Sequence, residues 1–362
     1  MKWIFLTAAL GLSQMNPLIS EEPKEISSFE EKLKRLEEDS GIDIRKETMT
    51  FHFSGEFIYW KTALDGVAYA TTAKIVEDPA GELVYNKFKT RTVHFDYDPA
   101  FQIGFGIGLP HDHWDISLRW LRSFTKGHDT AHGALTLDAG NRVILDSVGL
   151  IEGLDVPPSR AHAECAVHLD LVDAVLGRTF LWSRYFTFRP YAGVRGAWLR
   201  LDWDISFKMP ISVPSPVVQN DTKLDVDNDY SGCGFVGGFE SKWNLYKGFG
   251  LFSNASAALI YGVSSEDTKQ KFVRIPAGQT SSFKQTLKAK NSTHTVKGVF
   301  DIAIGIKWEG DFYKTNHIFL WAGYDFFYWP NVTQKTINQF TRSRDRADLS
   351  YQGFITGARI DF

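Results

Sequence analysis

From Thr50 to Phe362 the chain alternates between apolar and polar side chains in ten separate segments. A period of two is the signature of a β-strand, whose successive side chains point to opposite faces. TFHFSGEFIYW sets Phe51, Phe53, Phe57 and Tyr59 against His52, Ser54, Glu56 and Trp60. AFQIGFGIGLPHDHWDISLRW carries two segments. In the first, Phe101, Ile103, Phe105, Ile107 and Leu109 oppose Gln102, Gly104, Gly106 and Gly108. Beyond Pro110-His111-Asp112-His113, Trp114, Ile116, Leu118 and Trp120 oppose Asp115, Ser117 and Arg119. The pair predicts a hairpin about a tight polar turn. The fourth segment, 161–172, sets Ala163, Cys165, Val167, Leu169 and Leu171 against His162, Glu164, His168 and Asp170. The fifth, FTFRPYAGVRGAW, opposes Phe186, Phe188, Ala192, Val194 and Trp198 to Arg189, Tyr191 and Arg195, and its Pro190 implies a bulge or an irregular ladder. SGCGFVGGFESKW, FGLFSNASAALIY, VFDIAIGIKW, IFLWAGYDFFY and DLSYQGFITGARIDF complete the set.

Alternation is shared by soluble barrels, with the apolar face inward, and membrane barrels, with the apolar face outward. Three features point to the membrane form. The stretches after segments one, three, five, seven and nine are long, whereas 111–113, 244–248 and 309–316 are short, the asymmetry of outer-membrane barrels. Trp114, Phe186, Trp243, Phe249 and Trp308 lie on the apolar parity beside the short turns, as one interfacial girdle would. The opposite face mixes glycine with charges of both signs. Two further stretches, 68–75 and 135–145, read as strand candidates that extend outside the bilayer. The expected fold is therefore an all-β, antiparallel, up-and-down transmembrane barrel of about 10–12 strands.

Composition agrees: aromatic residues make up 14% of the 362 residues and glycine occurs 30 times. A net charge of −3 carries no polyanion signature, so no nucleic-acid partner is expected. Residues 1–20, with Lys2 before an apolar run from Trp3 to Leu12, read as a secretory signal, too short to span a bilayer. Residues 21–48 read as a periplasmic segment with a short amphipathic helix, apolar at Ile26, Phe29, Leu33 and Leu36, and the barrel occupies 49–362. Cys165 and Cys233 fall on the lipid-facing parity. With one strand between them they would lie about 9–10 Å apart, beyond the roughly 7 Å a disulfide spans, so they are expected to be unpaired.

The order FIYWKTALDGVAYA, FDYDPAFQIGFGIGLPHDHWDISLRW, FRPYAGVRGAW, DLSYQGFITGARIDF resembles the pore-forming major outer-membrane protein family of Legionella and chlamydia-like bacteria, from about Phe51 to Phe362. The resemblance implies a β-barrel with pore-forming activity in the bacterial outer membrane and names no substrate. The alternating end at Phe362 is similar to the signal by which the barrel assembly machinery recognises its clients.

The leading expectation is a porin passing ions or small polar solutes, with both chain ends periplasmic. Its partners would be outer-membrane lipid, the assembly machinery and copies of itself. Pore-lining candidates are Glu56, Arg119, Glu164, Asp170, Arg189, Arg195, Asp301, Asp325 and Arg359. With Asp115, Glu240, Lys242, Lys307 and Asp361 the inward parity gives six cations against eight carboxylates, too balanced for an ion preference. The alternative is a plugged structural or adhesive barrel, since about eight strands enclose little beyond packed side chains. No cofactor or metal is expected: His111-Asp112-His113 lacks the three or four ligands of a closed site. His128, Asp129 and His132 invite an enzyme reading, but no Gly-x-Ser-x-Gly elbow occurs and no nucleophile can be assigned.

Overall fold

The computed structural model describes residues 49–77, 83–110, 112–133, 142–147, 158–208, 219–275, 283–312, 316–336 and 344–362. The signal segment and the predicted helix lie outside them, and every regular element among the described residues is a strand. β1 (Thr50–Leu64) is followed by β2 (Ala68–Glu77), β3 (Leu83–Thr92) and the two-residue β4 (His94–Phe95). The predicted hairpin is β5 (Tyr97–Gly108) and β6 (Trp114–His132), and β7 (Arg142–Ser147), β8 (Arg160–Arg178), β9 (Phe180–Ser183) and β10 (Phe186–Lys208) follow. The longest strands are β11 (Gln219–Tyr246), β12 (Phe249–Ile275) and β13 (Phe283–Phe312), and the chain ends with β14 (Asn316–Thr336) and β15 (Arg344–Asp361).

Ten of these, β1, β5, β6, β8 and β10–β15, pair antiparallel in a closed ring, which leaves the barrel no edge strand. Closure runs through β1 and β15, whose last rung joins Phe51 and Phe362 by two backbone hydrogen bonds of 2.9 Å. β2, β3 and β7 form a separate three-stranded sheet, so 68–75 and part of 135–145 are strands outside the barrel wall. Tyr69 and Arg91 tie that sheet to β6: both donate to the Asp129 carboxylate, at 2.9 and 3.3 Å.

The short turns follow from local chemistry. Asp112 and His113, and again Lys247 and Gly248, take positive φ at two successive positions, the type I′ pattern whose twist matches that of the strands it joins. Pro190 sits where one ladder gives way to another. β9 pairs with β10 as far as Phe188, β8 takes over from Tyr191, and the missing proline N–H falls in the gap.

On the outside, an apolar belt crosses all ten strands. It includes Phe53, Ile103, Leu118, Leu176, Val194, Phe235, Leu259, Ile304, Tyr324 and Phe354, with Phe235 79% and Ile304 61% exposed. On β13 it runs from Val296 to Ile306, and on β15 from Phe354 to Phe362, close to the 9–11 residues with which a tilted strand crosses a bilayer. An exposed apolar surface of this extent has no place in water. The predicted lipid face of the β5–β6 hairpin, Phe101, Ile103, Phe105, Ile116 and Leu118, is part of it.

Above the belt, toward the long loops, the two faces exchange character. The outer face becomes charged, with Arg200, Asp202 and Asp204 on β10 and Lys223, Asp225, Asp227 and Asp229 on β11. The inner face becomes apolar, with Leu199, Leu201, Trp203, Ile205 and Phe207 all buried. β8 lies largely in this upper zone, which corrects its assignment. Ala163, Cys165, Val167, Leu169 and Leu171 are 0–4% exposed and point inward. Glu164 and Asp170 point outward, paired with Lys126 at 2.7 Å and Arg122 at 3.6 Å, and do not line the lumen. Cys165 is likewise buried inside, while Cys233 is exposed on the outer face, and no disulfide joins them.

Candidate functional site: the lumen

The space enclosed by the barrel has two layers. The lower layer, at the short-turn end, is built from inward positions of the belt-bearing segments and is charged. Arg189 on β10 forks onto Asp115 of β6, with Nε to Oδ2 at 2.7 Å, and its Nη1 reaches Glu240 of β11 at 3.1 Å. Arg119 on β6 crosses the lumen to the same Glu240 at 3.5 Å and approaches Asp173 of β8 at 3.8 Å. Asp173 is held more tightly by Arg195, through two hydrogen bonds of 2.6 and 2.7 Å, the bidentate geometry that suits guanidinium and carboxylate. Tyr191 lies against both Arg119 and Arg189, whose guanidinium carbons stand 4.9 and 5.4 Å from its ring centre. Arg359 pairs with Asp361 at 2.6 Å, and Lys307 with Glu309 at 2.9 Å.

Glycines on this face make room for their neighbours. A Cβ at Gly106 would stand 2.1 Å from the His52 ring, and one at Gly357 would stand 2.3 Å from the Trp321 indole. The bare position opposite Trp321 lets its ring lie flat, where Nε1–H donates to Glu56 at 2.7 Å. Farther up, Glu56, Asp301 and Asp325 form a carboxylate group beside Arg195. Two cavities open in this layer. The lower has a water-accessible volume of about 140 Å³ and is lined by His52, Glu56, Arg119, Arg189, Glu240, Lys242, Trp321 and Arg359. The upper, about 70 Å³, is lined by Glu56, Asp173, Arg195, Asp301 and Asp325 beneath Trp60. Side-chain exposure is 29% at Arg359 and 25% at Glu240, against 4% at Arg195.

The upper layer is an apolar plug. Ile58, Trp60, Leu121, Leu171, Leu201, Trp203, Tyr230, Ile260, Phe327, Trp329 and Tyr351 belong to one buried cluster, and none of these is more than 9% exposed. Trp60 stacks on Tyr351 with ring centres 4.9 Å apart, and Tyr230 on β11 meets Trp329 on β14 edge-on at 5.5 Å, across two intervening strands. Lys297 reaches into this layer, donates to the Val332 carbonyl and lies 4.4 Å from the Tyr230 ring centre.

Of the nine lining candidates, Glu56, Arg119, Arg189, Arg195, Asp301, Asp325 and Arg359 thus occupy the lower layer. Glu164 and Asp170 do not. Two inward carboxylates stand in their place, Asp173 and Glu309, so within the lower layer the balance of six cations to eight carboxylates survives with different members. The signal for Asp173 was present: it alternates with Val172, Ala174 and Leu176, the segment of β8 that crosses the belt. His128 stands outward opposite His94, away from the charged lumen.

The sequence profile of a family described as the Legionella pneumophila major outer membrane protein precursor matches residues 44–362. No curated protein sequence matches the chain. Among solved structures, the outer membrane protease OmpT of Escherichia coli is similar at 8% identity and a TM-score of 0.37, over 86% of this chain and 96% of that one. A FadL homologue of Pseudomonas aeruginosa is similar at 9% identity and 0.27, over 87% and 90%. The toluene transporter TodX of Pseudomonas putida is similar at 8% and 0.24, over 86% and 89%. Likenesses this remote carry no argument about chemistry or cargo.

Proposed function

The chain belongs to the Legionella major outer membrane protein family, and from that membership we propose that its barrel stands in the outer membrane as a closed cylinder acting at the cell surface. Both chain ends and the short turns face the periplasm. The wall above the belt, with the sheet of β2, β3 and β7, faces outward and makes contact with host or neighbouring cells. The observation that carries this reading is the plug: side chains from all around the wall meet in the upper lumen and are buried as deeply as a protein core. A diffusion pore for polar solutes needs a continuous polar path, and Trp60, Phe327 and Tyr351 stand across it. Liposomes carrying the refolded protein should swell in an isosmotic sugar no faster than empty ones, and swelling at a porin's rate would overturn the reading.

A second reading, gated passage, is favoured by the two charged cavities below the plug. It would keep the porin expectation and requires the plug to move. It predicts intermittent conductance at some applied voltage, where the closed cylinder predicts none.

A further inference from the structure

We propose that the lower luminal cavity is a binding site for a small aromatic carboxylate, with Lys242 as the group that receives its charge. The inference rests on the cavity alone and is independent of whether the upper lumen opens. Every other inward cation at the short-turn end has a carboxylate within 4.0 Å: Asp115 and Glu240 for Arg189, Glu240 and Asp173 for Arg119, Asp173 for Arg195, Glu309 for Lys307 and Asp361 for Arg359. Among the described residues Lys242 has none, and its ammonium lies over the Phe319 ring, 4.3 Å from the ring centre. The Nε–H of Arg119, on the same cavity, is buried without an acceptor. The two carboxylates on this cavity are engaged elsewhere, Glu240 by Arg119 and Arg189 and Glu56 by Trp321, and neither closes on Lys242. An incomplete pairing of buried charge is costly, and an incoming anion would complete it.

The walls narrow the chemistry further. Phe252, Phe319 and Trp321 line the same space, Phe319 and Trp321 packed with ring centres 5.4 Å apart, so an aromatic body has an apolar wall to lie against while its carboxylate meets Lys242. At roughly 10–15 Å³ of such volume per water, the 140 Å³ cavity holds on the order of ten waters, or a ligand of about ten non-hydrogen atoms. Benzoate has that size and charge.

The test is calorimetric titration of the full refolded protein in micelles with benzoate, and with benzyl alcohol and benzylamine as neutral and cationic counterparts of the same shape. Benzoate should bind with a stoichiometry near one and the other two at least tenfold more weakly. Lys242→Gln should weaken benzoate by about 10- to 100-fold, the loss expected for one charge-assisted hydrogen bond. Lys242→Arg should retain most of the affinity, and Lys126→Gln, on the outer face, should change nothing. Equal binding of the three compounds to the wild type, no benzoate binding at millimolar concentration, or full affinity in a folded Lys242→Gln variant would each overturn the proposal. The comparison of the three compounds needs no variant, so it stands even where a substitution prevents folding.

Discussion

Arg195 and Asp173 face each other across one rung of the β8–β10 ladder and are among the least exposed charges described, at 4% and 8% of their side-chain surface. Removing one partner strands the other, which costs about 3–5 kcal/mol for a buried pair, whereas replacing both by apolar groups of similar size is often nearly neutral. Arg195→Met should therefore lower unfolding stability by about that amount, and Arg195→Met with Asp173→Leu should recover most of it. Urea unfolding of the four proteins in micelles reads this directly, and additive losses would contradict the pairing. The cations of this site were legible in the sequence because they share a strand parity with glycines and oppose an aromatic belt. The signal of Asp173 was overshadowed by Asp170, which sits three residues earlier on the opposite parity in a longer apolar run. A period of two looks the same on either side of the belt, and only height in the membrane tells which face meets lipid.

That ambiguity belongs to whole elements. β10–β13 run for 23–30 residues, and only part of each crosses the belt. The remainder of β11–β13 reads as loop in the sequence because its charges alternate with small or polar side chains, whereas that of β10 keeps an apolar alternation at Leu201, Trp203, Ile205 and Phe207. The same strand should then tolerate a charge at one height and reject it at another. Ile304→Arg, on the belt of β13, should cost about 2–4 kcal/mol in vesicles, the penalty for a cation at mid-bilayer. Ser292→Arg, on the same outer face of β13 but farther up beyond the belt, should change stability little. Equal effects would contradict the placement of the belt. At the top of β14 the ladder slips between Trp329 and Thr333, and Asn331 takes a φ of 54°. Asp348 of β15 holds that irregularity, accepting from the Asn331 N–H at 2.8 Å and the Tyr328 hydroxyl at 2.7 Å. The backbone donor, and after it the hydroxyl, keep its carboxyl below the usual carboxylate range. A folded pKa lower than the unfolded one gives stability that is present above about pH 4 and is lost as pH falls through the folded value. The stability gap between wild type and Asp348→Asn should accordingly narrow from pH 6 to pH 2 in urea titrations. A constant gap would show that these bonds do not follow ionisation.

At the scale of the whole molecule, the barrel separates two solvents and stacks two interiors. Ten alternating segments, their order and the short turns were readable because lipid demands an unbroken outward apolar face from every strand. The residues of the plug were not, since Leu169, Trp203 and Trp329 lie above the belt, where the apolar face turns inward, and that direction follows only from closure of the ring. The central claim is that this plug closes the lumen. It is tested most directly by single-molecule conductance of the refolded protein in a planar bilayer, wild type beside Trp60→Ala with Tyr351→Ala, which removes the stacked pair. The wild type should be silent at all moderate voltages in 1 M salt and the variant should show discrete conducting steps. Steady steps in the wild type, unchanged when the pair is removed, would contradict the account.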